Sequence, residues 1–105
     1  MEYNEYEKII TKVKVRTKIG KFEDDYTVSV LIRTKGMVPA EHMVRKVVVR
    51  ALGEITPDYI RFAAKYILAK LCEKFWVDCE TVYVSVRITP QRGGPIFEVE
   101  RRVEQ

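Results

Sequence analysis

The sequence predicts an α+β fold in the order ββααββ, a four-stranded antiparallel sheet with two helices on one face. Three observations carry that reading. Segments near both ends alternate apolar and polar residues, the period of a strand with one dry face. The middle of the chain repeats its apolar residues at intervals of three and four, the spacing of a helix. Short polar connectors join the outer segments in pairs, which implies antiparallel hairpins.

The first strand is expected from about Ile9 to Ile19, with Val13, Val15, Thr17 and Ile19 on one side and Lys12, Lys14, Arg16 and Lys18 on the other. "GKFEDD" reads as a turn, and "YTVSVLIR" as a second strand with Tyr26, Val28, Val30 and Ile32 on its dry side. "TKGMVPAEH" is a connector punctuated by Gly36 and Pro39. Met43, Val44, Val47, Val48 and Ala51 then fall on one face of a helix that Gly53 closes. Valines are weak helix formers, so packing must hold this segment.

"ITPDYIRFAAKYILAKLCEKFW" is the stronger helix. Thr56 suits its cap, Pro57 its first position, and Asp58 the positive end of its dipole. Ile60, Ala63, Ala64, Ile67, Leu68, Leu71 and Phe75 form a stripe wide enough to meet both the sheet and a neighbour. In "TVYVSVRI", the third strand, Val82, Val84, Val86 and Ile88 point inward, and Thr81, Tyr83, Ser85 and Arg87 outward. "TPQRGGP" is a loop, and "IFEVERRV" the last strand, with Phe97, Val99 and Val103 inward.

At 105 residues the chain is expected to be a single domain, 1–105, with a core large enough to do without disulfides. No apolar run approaches the ~20 residues of a membrane span, and the N-terminus lacks a signal-like pattern, so a cytoplasmic protein is expected. One Asn and two Gln stand against 19 Lys+Arg and 15 Asp+Glu, a bias of thermophile proteins. Cys72, Cys79 and the single His42 cannot complete a four-ligand zinc set, so neither a metal site nor a cofactor is expected. Cys72 should pack as a small hydrophobe, and a bridge to Cys79 stays open.

The sheet face away from the helices is expected to be polar throughout. It would carry Lys12, Lys14, Arg16, Lys18, Ser29, Arg33, Tyr83, Ser85, Arg87, Glu98, Glu100 and Arg102. Three uses are open to it. It could simply meet water. With a net charge of +4 it could serve as a nucleic-acid surface, cations on phosphates and Tyr83 stacking on a base, although Glu98 and Glu100 repel phosphate. Or it could line a barrel built from several copies, its charges pairing across strands.

The third use matches a known architecture. "TKIGKFEDDYTVSVLI" resembles the first hairpin of the dihydroneopterin aldolases. "YIRFAAKYILAKLCEKFWVDCETVYVSVRITP" resembles their second helix, running into a strand that ends before proline. These aldolases belong to the tunnelling fold (T-fold), so the resemblance implies a ring-shaped homo-oligomer, a tetramer or octamer. It also implies a pterin- or purine-like heterocycle bound at a subunit interface, and a lyase activity of folate biosynthesis.

The family's working positions are occupied differently here. Pro39 and its neighbours stand where the aldolases place a tyrosine, Arg61 where a glutamate anchors the pterin, and Thr89 where a lysine precedes Pro90. Asp58 is the nearest carboxylate to the anchor position. The candidate acid–base residues are Glu41 and His42; the candidate ligand-binding residues are Asp58, Glu98, Glu100 and Tyr83. Glu54 is a further carboxylate to follow. "QRGGP" suits either a hairpin turn or an anion held by backbone N–H groups and Arg92.

Overall fold

The computed structural model describes residues 7–17, 25–35, 40–55, 60–75 and 80–102. The expected cap at Thr56, Pro57 and Asp58 lies outside these residues, as do Lys18, Ile19, Gly36, Pro39, Cys79 and Val103. The elements are β1 (Glu7–Thr17), β2 (Tyr26–Lys35), α1 (Glu41–Glu54), α2 (Ile60–Phe75), β3 (Glu80–Pro90) and β4 (Phe97–Arg102).

The strands form one antiparallel sheet in the order β1-β2-β3-β4. The two helices are thus inserted between neighbouring central strands, and β2 and β3 still pair from Tyr26↔Pro90 to Lys35↔Glu80. Pairing carries β2 past Arg33 and β3 to Pro90, each beyond the span its alternation alone suggests. The register shifts between Ile10 and Val13 of β1, and again between Arg33 and Thr34 of β2. Such bulges sharpen the local twist of a sheet.

The core lies between the sheet and the helices. Val28, Val30, Ile32, Val84, Val86 and Ile88 come from the strands; Val44, Val48 and Ala51 from α1; Ile60, Ala63, Ala64, Ile67, Leu71 and Cys72 from α2. The small side chains of Ala63 and Ala64, both fully buried, let α2 lie close on the sheet. Burying each Val, Ile or Leu contributes about 1.5–3 kcal/mol relative to leaving it exposed. Phe97 and Val99 of β4 pack half-buried at the margin of this core.

Neither boundary of α1 rests on a side-chain hydrogen-bond cap or a glycine stop. Ala40 is extended, and its carbonyl accepts the N–H groups of Met43 (3.0 Å) and Val44 (3.2 Å), with no side-chain cap. Gly53 does not close α1, contrary to expectation. The helix runs through it to Glu54 and leaves by Ile55, which is extended and buried. A buried anchor ends the helix, so no left-handed glycine is needed. Met43 also departs from the expected stripe: it is 40% exposed, because Val44, one position on, takes the place facing the core.

Among the described residues only Gly93 (φ 84°) and Gly94 (φ 124°) have positive φ. They turn the chain between β3 and β4, where the Gly93 N–H reaches back to the Pro90 carbonyl at 3.4 Å. The "QRGGP" segment is therefore a hairpin turn that needs left-handed backbone, the conformation glycine adopts most readily.

Candidate functional site

The pairing registers set the residues of the open sheet face in rows across three strands. Ser29 stands opposite Arg87 and Arg87 opposite Glu98; Leu31 opposite Ser85 and Ser85 opposite Glu100; Arg33 opposite Tyr83 and Tyr83 opposite Arg102. On the other side of β2, Lys14 pairs with Ser29 and Arg16 with Thr27, while Val13 and Val15 pair with Val30 and Val28. The side chains of β1, and with them the row of cations, lie outside the described residues.

A depression of about 470 Å³ opens on this face, bordered by Thr27, Ser29, Leu31, Tyr83, Ser85, Arg87, Thr89 and Glu98. Its charged groups hold one another. Arg87 donates through Nε to Glu98 Oε2 at 2.9 Å, and its Nη2 lies 2.8 Å from the same oxygen. The Ser85 hydroxyl donates to Glu98 Oε1 at 3.4 Å. Tyr83 donates to Glu100 Oε2 at 2.5 Å, and the Arg33 guanidinium lies 6.0 Å from the centre of the Tyr83 ring. Gln91 donates to the hydroxyl of Thr27 at one end.

The bond to Glu100, with some burial, pushes the Tyr83 phenol above its ordinary value. Tyr83 is thereby kept neutral and is a donor or ring platform rather than a base. Ser85, expected on a wet surface, is only 8% exposed, with its hydroxyl bonded to Glu98 of the neighbouring strand.

Sequence reasoning therefore placed Tyr83, Glu98 and Glu100 on one face, where Tyr83 bonds Glu100 while Ser85 and Arg87 hold Glu98. It did not single out Thr27, Leu31 or Gln91. Leu31 carries no polar signal, and Thr27 and Gln91 are 64 positions apart along the chain. Glu41 and His42 lie elsewhere, exposed in the first turn of α1 in the helical layer. Neither has a hydrogen bond or ion pair among the described residues, and Asp58 lies outside them. No group of three His, Cys, Asp or Glu suited to a metal occurs among the described residues.

A second cluster ties the two helices. The Tyr66 hydroxyl donates to Glu54, Lys70 lies 3.8 Å from Glu54 Oε2, and Lys70 sits 5.4 Å from the centre of the Tyr66 ring. Phe62 stacks on Tyr66 with ring centres 6.2 Å apart. The bond to Glu54 raises the Tyr66 phenol, and Tyr66 followed by Glu54 raises the Lys70 ammonium. Glu54 thus serves a contact between helices. Cys72 is a free, buried thiol, pushed up by burial against a smaller opposing effect of Arg101. No helix among the described residues is long and apolar enough to cross a membrane.

No family model matches this sequence, and no curated protein matches it. The crystal structure of a dihydroneopterin aldolase from Burkholderia thailendensis, bound to guanine, is similar to this chain with a TM-score of 0.62. The sequences are 14% identical, and the match covers 93% of this chain and 91% of that one. At this identity the likeness is one of fold, and the architecture is T-fold-like.

Proposed function

We propose that this protein assembles with copies of itself into a ring and binds a pterin- or purine-like heterocycle at a subunit interface. The observation that carries the reading is the fold shared, over nearly the whole chain, with an aldolase whose crystal structure contains guanine. The sheet supports it as well. Strands β1 and β4 are its two edges, and pairing β4 of one copy with β1 of the next would extend the sheet around a ring.

Pterins and guanine present an amino group beside a ring N–H, and one carboxylate can accept both hydrogen bonds. Glu100 is the best-placed described carboxylate. Its Oε2 holds Tyr83, its Oε1 has no partner among the described residues, and the Tyr83 ring beside it offers a stacking surface. Glu98 is committed to Arg87 and Ser85 and would orient the site rather than take the ligand. Asp58 is the other carboxylate in the proposal.

Binding is better supported than conversion. Aldol chemistry would call on Glu41 and His42 from an adjoining copy, since both lie in the helical layer. Arg61 and Thr89 stand where the resemblance places an anchoring glutamate and a lysine. A nucleic-acid surface has less support. On the open face Arg87 is neutralised by Glu98, and among the described residues Tyr83 is the one aromatic ring offered there for stacking.

Calorimetric titration with guanine and with neopterin tests the reading. Micromolar binding of either, weakened at least tenfold in Glu100→Gln, is expected. No heat from either compound, at a concentration where the protein is oligomeric, would overturn it.

A further inference from the structure

We propose that the groove between α2 and the start of β4 binds a ligand that bears both a phosphate and a planar ring, with Arg61 and Lys65 holding the phosphate and Ile96 and Val99 supporting the ring. Neither Tyr83 nor Glu100 borders this groove, so it is a second site, and the inference goes beyond the reading above.

The groove measures about 350 Å³, within the range of small-ligand sites. Arg61 and Lys65 form one wall; Ile96, Phe97 and Val99 supply the apolar floor. Ile96, just before β4, is 55% exposed, a cost that a ring lying on it would remove. Arg61 and Lys65 are one helical turn apart, so their charges face the same space and repel each other. Neither has an ion pair or hydrogen bond among the described residues, whereas Lys70 and Arg87 both have carboxylate partners. Glu98 borders the groove, but its carboxylate is bonded to Arg87 and Ser85 on the sheet's open face. A phosphate between the two cations would relieve their repulsion and accept charge-assisted bonds from both. The planar guanidinium suits two phosphate oxygens and the ammonium a third.

Calorimetry on the full chain at low salt, with guanosine monophosphate, guanosine and phenyl phosphate, tests this. The nucleotide should bind at least about tenfold more tightly than the nucleoside, an advantage that shrinks as salt rises. Phenyl phosphate should bind measurably. The double substitution Arg61→Gln, Lys65→Gln should remove the nucleotide's advantage and the phenyl phosphate signal while leaving guanosine affinity unchanged. Both positions are exposed, and an unchanged circular dichroism spectrum verifies that the variant folds. Equal affinity for nucleotide and nucleoside, or an advantage that survives the double substitution, overturns the inference while leaving a heterocycle site intact. Phenyl phosphate binding that depends on Arg61 and Lys65 without guanosine binding supports the phosphate site and counts against the heterocycle.

Discussion

On one side of β2 and β3, Val28, Val30, Ile32, Val84, Val86 and Ile88 are each at most 2% exposed beneath two helices. On the other side, residues of these strands meet each other and β4 through Arg87–Glu98, Ser85–Glu98, Tyr83–Glu100 and the Arg33–Tyr83 contact. The alternation of a strand makes both faces from one backbone, but different forces hold them. Dispersion and water exclusion fix the dry face, where shape matters and polarity is barred. Exposed charge pairs contribute little to stability, so the residues of the polar face are free to be chosen for what they bind. On the proposed reading, stability and function are thereby separated by one pleat.

The difference can be broken most severely from the dry side. Ile67→Ala removes a fully buried side chain of α2 and should cost about 2–5 kcal/mol in urea unfolding. A loss below about 1 kcal/mol would mean that the helices are not seated on the sheet as described. Gly53→Ala should act oppositely. Gly53 lies in α1 with ordinary φ and nothing within 4 Å of an added Cβ, so the exchange should stabilise the fold by about 0.5 kcal/mol.

On the polar side, Glu98→Gln removes the partner of Arg87. Their side chains are 39% and 54% exposed, and the stability change should stay below about 1 kcal/mol. Ligand affinity should fall more than that, since Ser85 and Arg87 lose their shared anchor. Equal losses in the two measurements would erase the separation between the faces.

The smallest effect is a titration. The Tyr83 phenol is raised from 10.0 by its bond to Glu100, so the folded state holds this proton more tightly than the unfolded state. The associated stability is fully present below pH 10.0 and is lost as pH rises through the raised value. In an absorbance titration of phenolate, Tyr83→Phe should delete a late-ionising group, and loss of an early one would contradict the assigned bond.

Period and punctuation made most of the fold legible. Val28/Val30/Ile32 and Val84/Val86/Ile88 alternate because one face is dry, and Ile60, Ala63, Ala64, Ile67 and Leu71 recur at helical spacing because one stripe is. The end of α1 was not legible at Gly53, because burial of Ile55 decides it and burial is a tertiary property. Ser85 reads as a surface residue and is buried for the same reason. In the candidate site, Tyr83, Glu98 and Glu100 could be gathered from alternation alone. Their partners could not, because which charge meets which depends on the register between β3 and β4. Leu31 bears no chemical signal at all, and the groove at Arg61 and Lys65 exists only where α2 passes the start of β4.

Light scattering on the full chain, across a micromolar concentration series, measures the central claim directly. A ring that places its site between subunits requires a mass several times the 12.3 kDa of one chain, steady on dilution until the ring dissociates. A mass of 12.3 kDa throughout the series would contradict both the ring and the interface site.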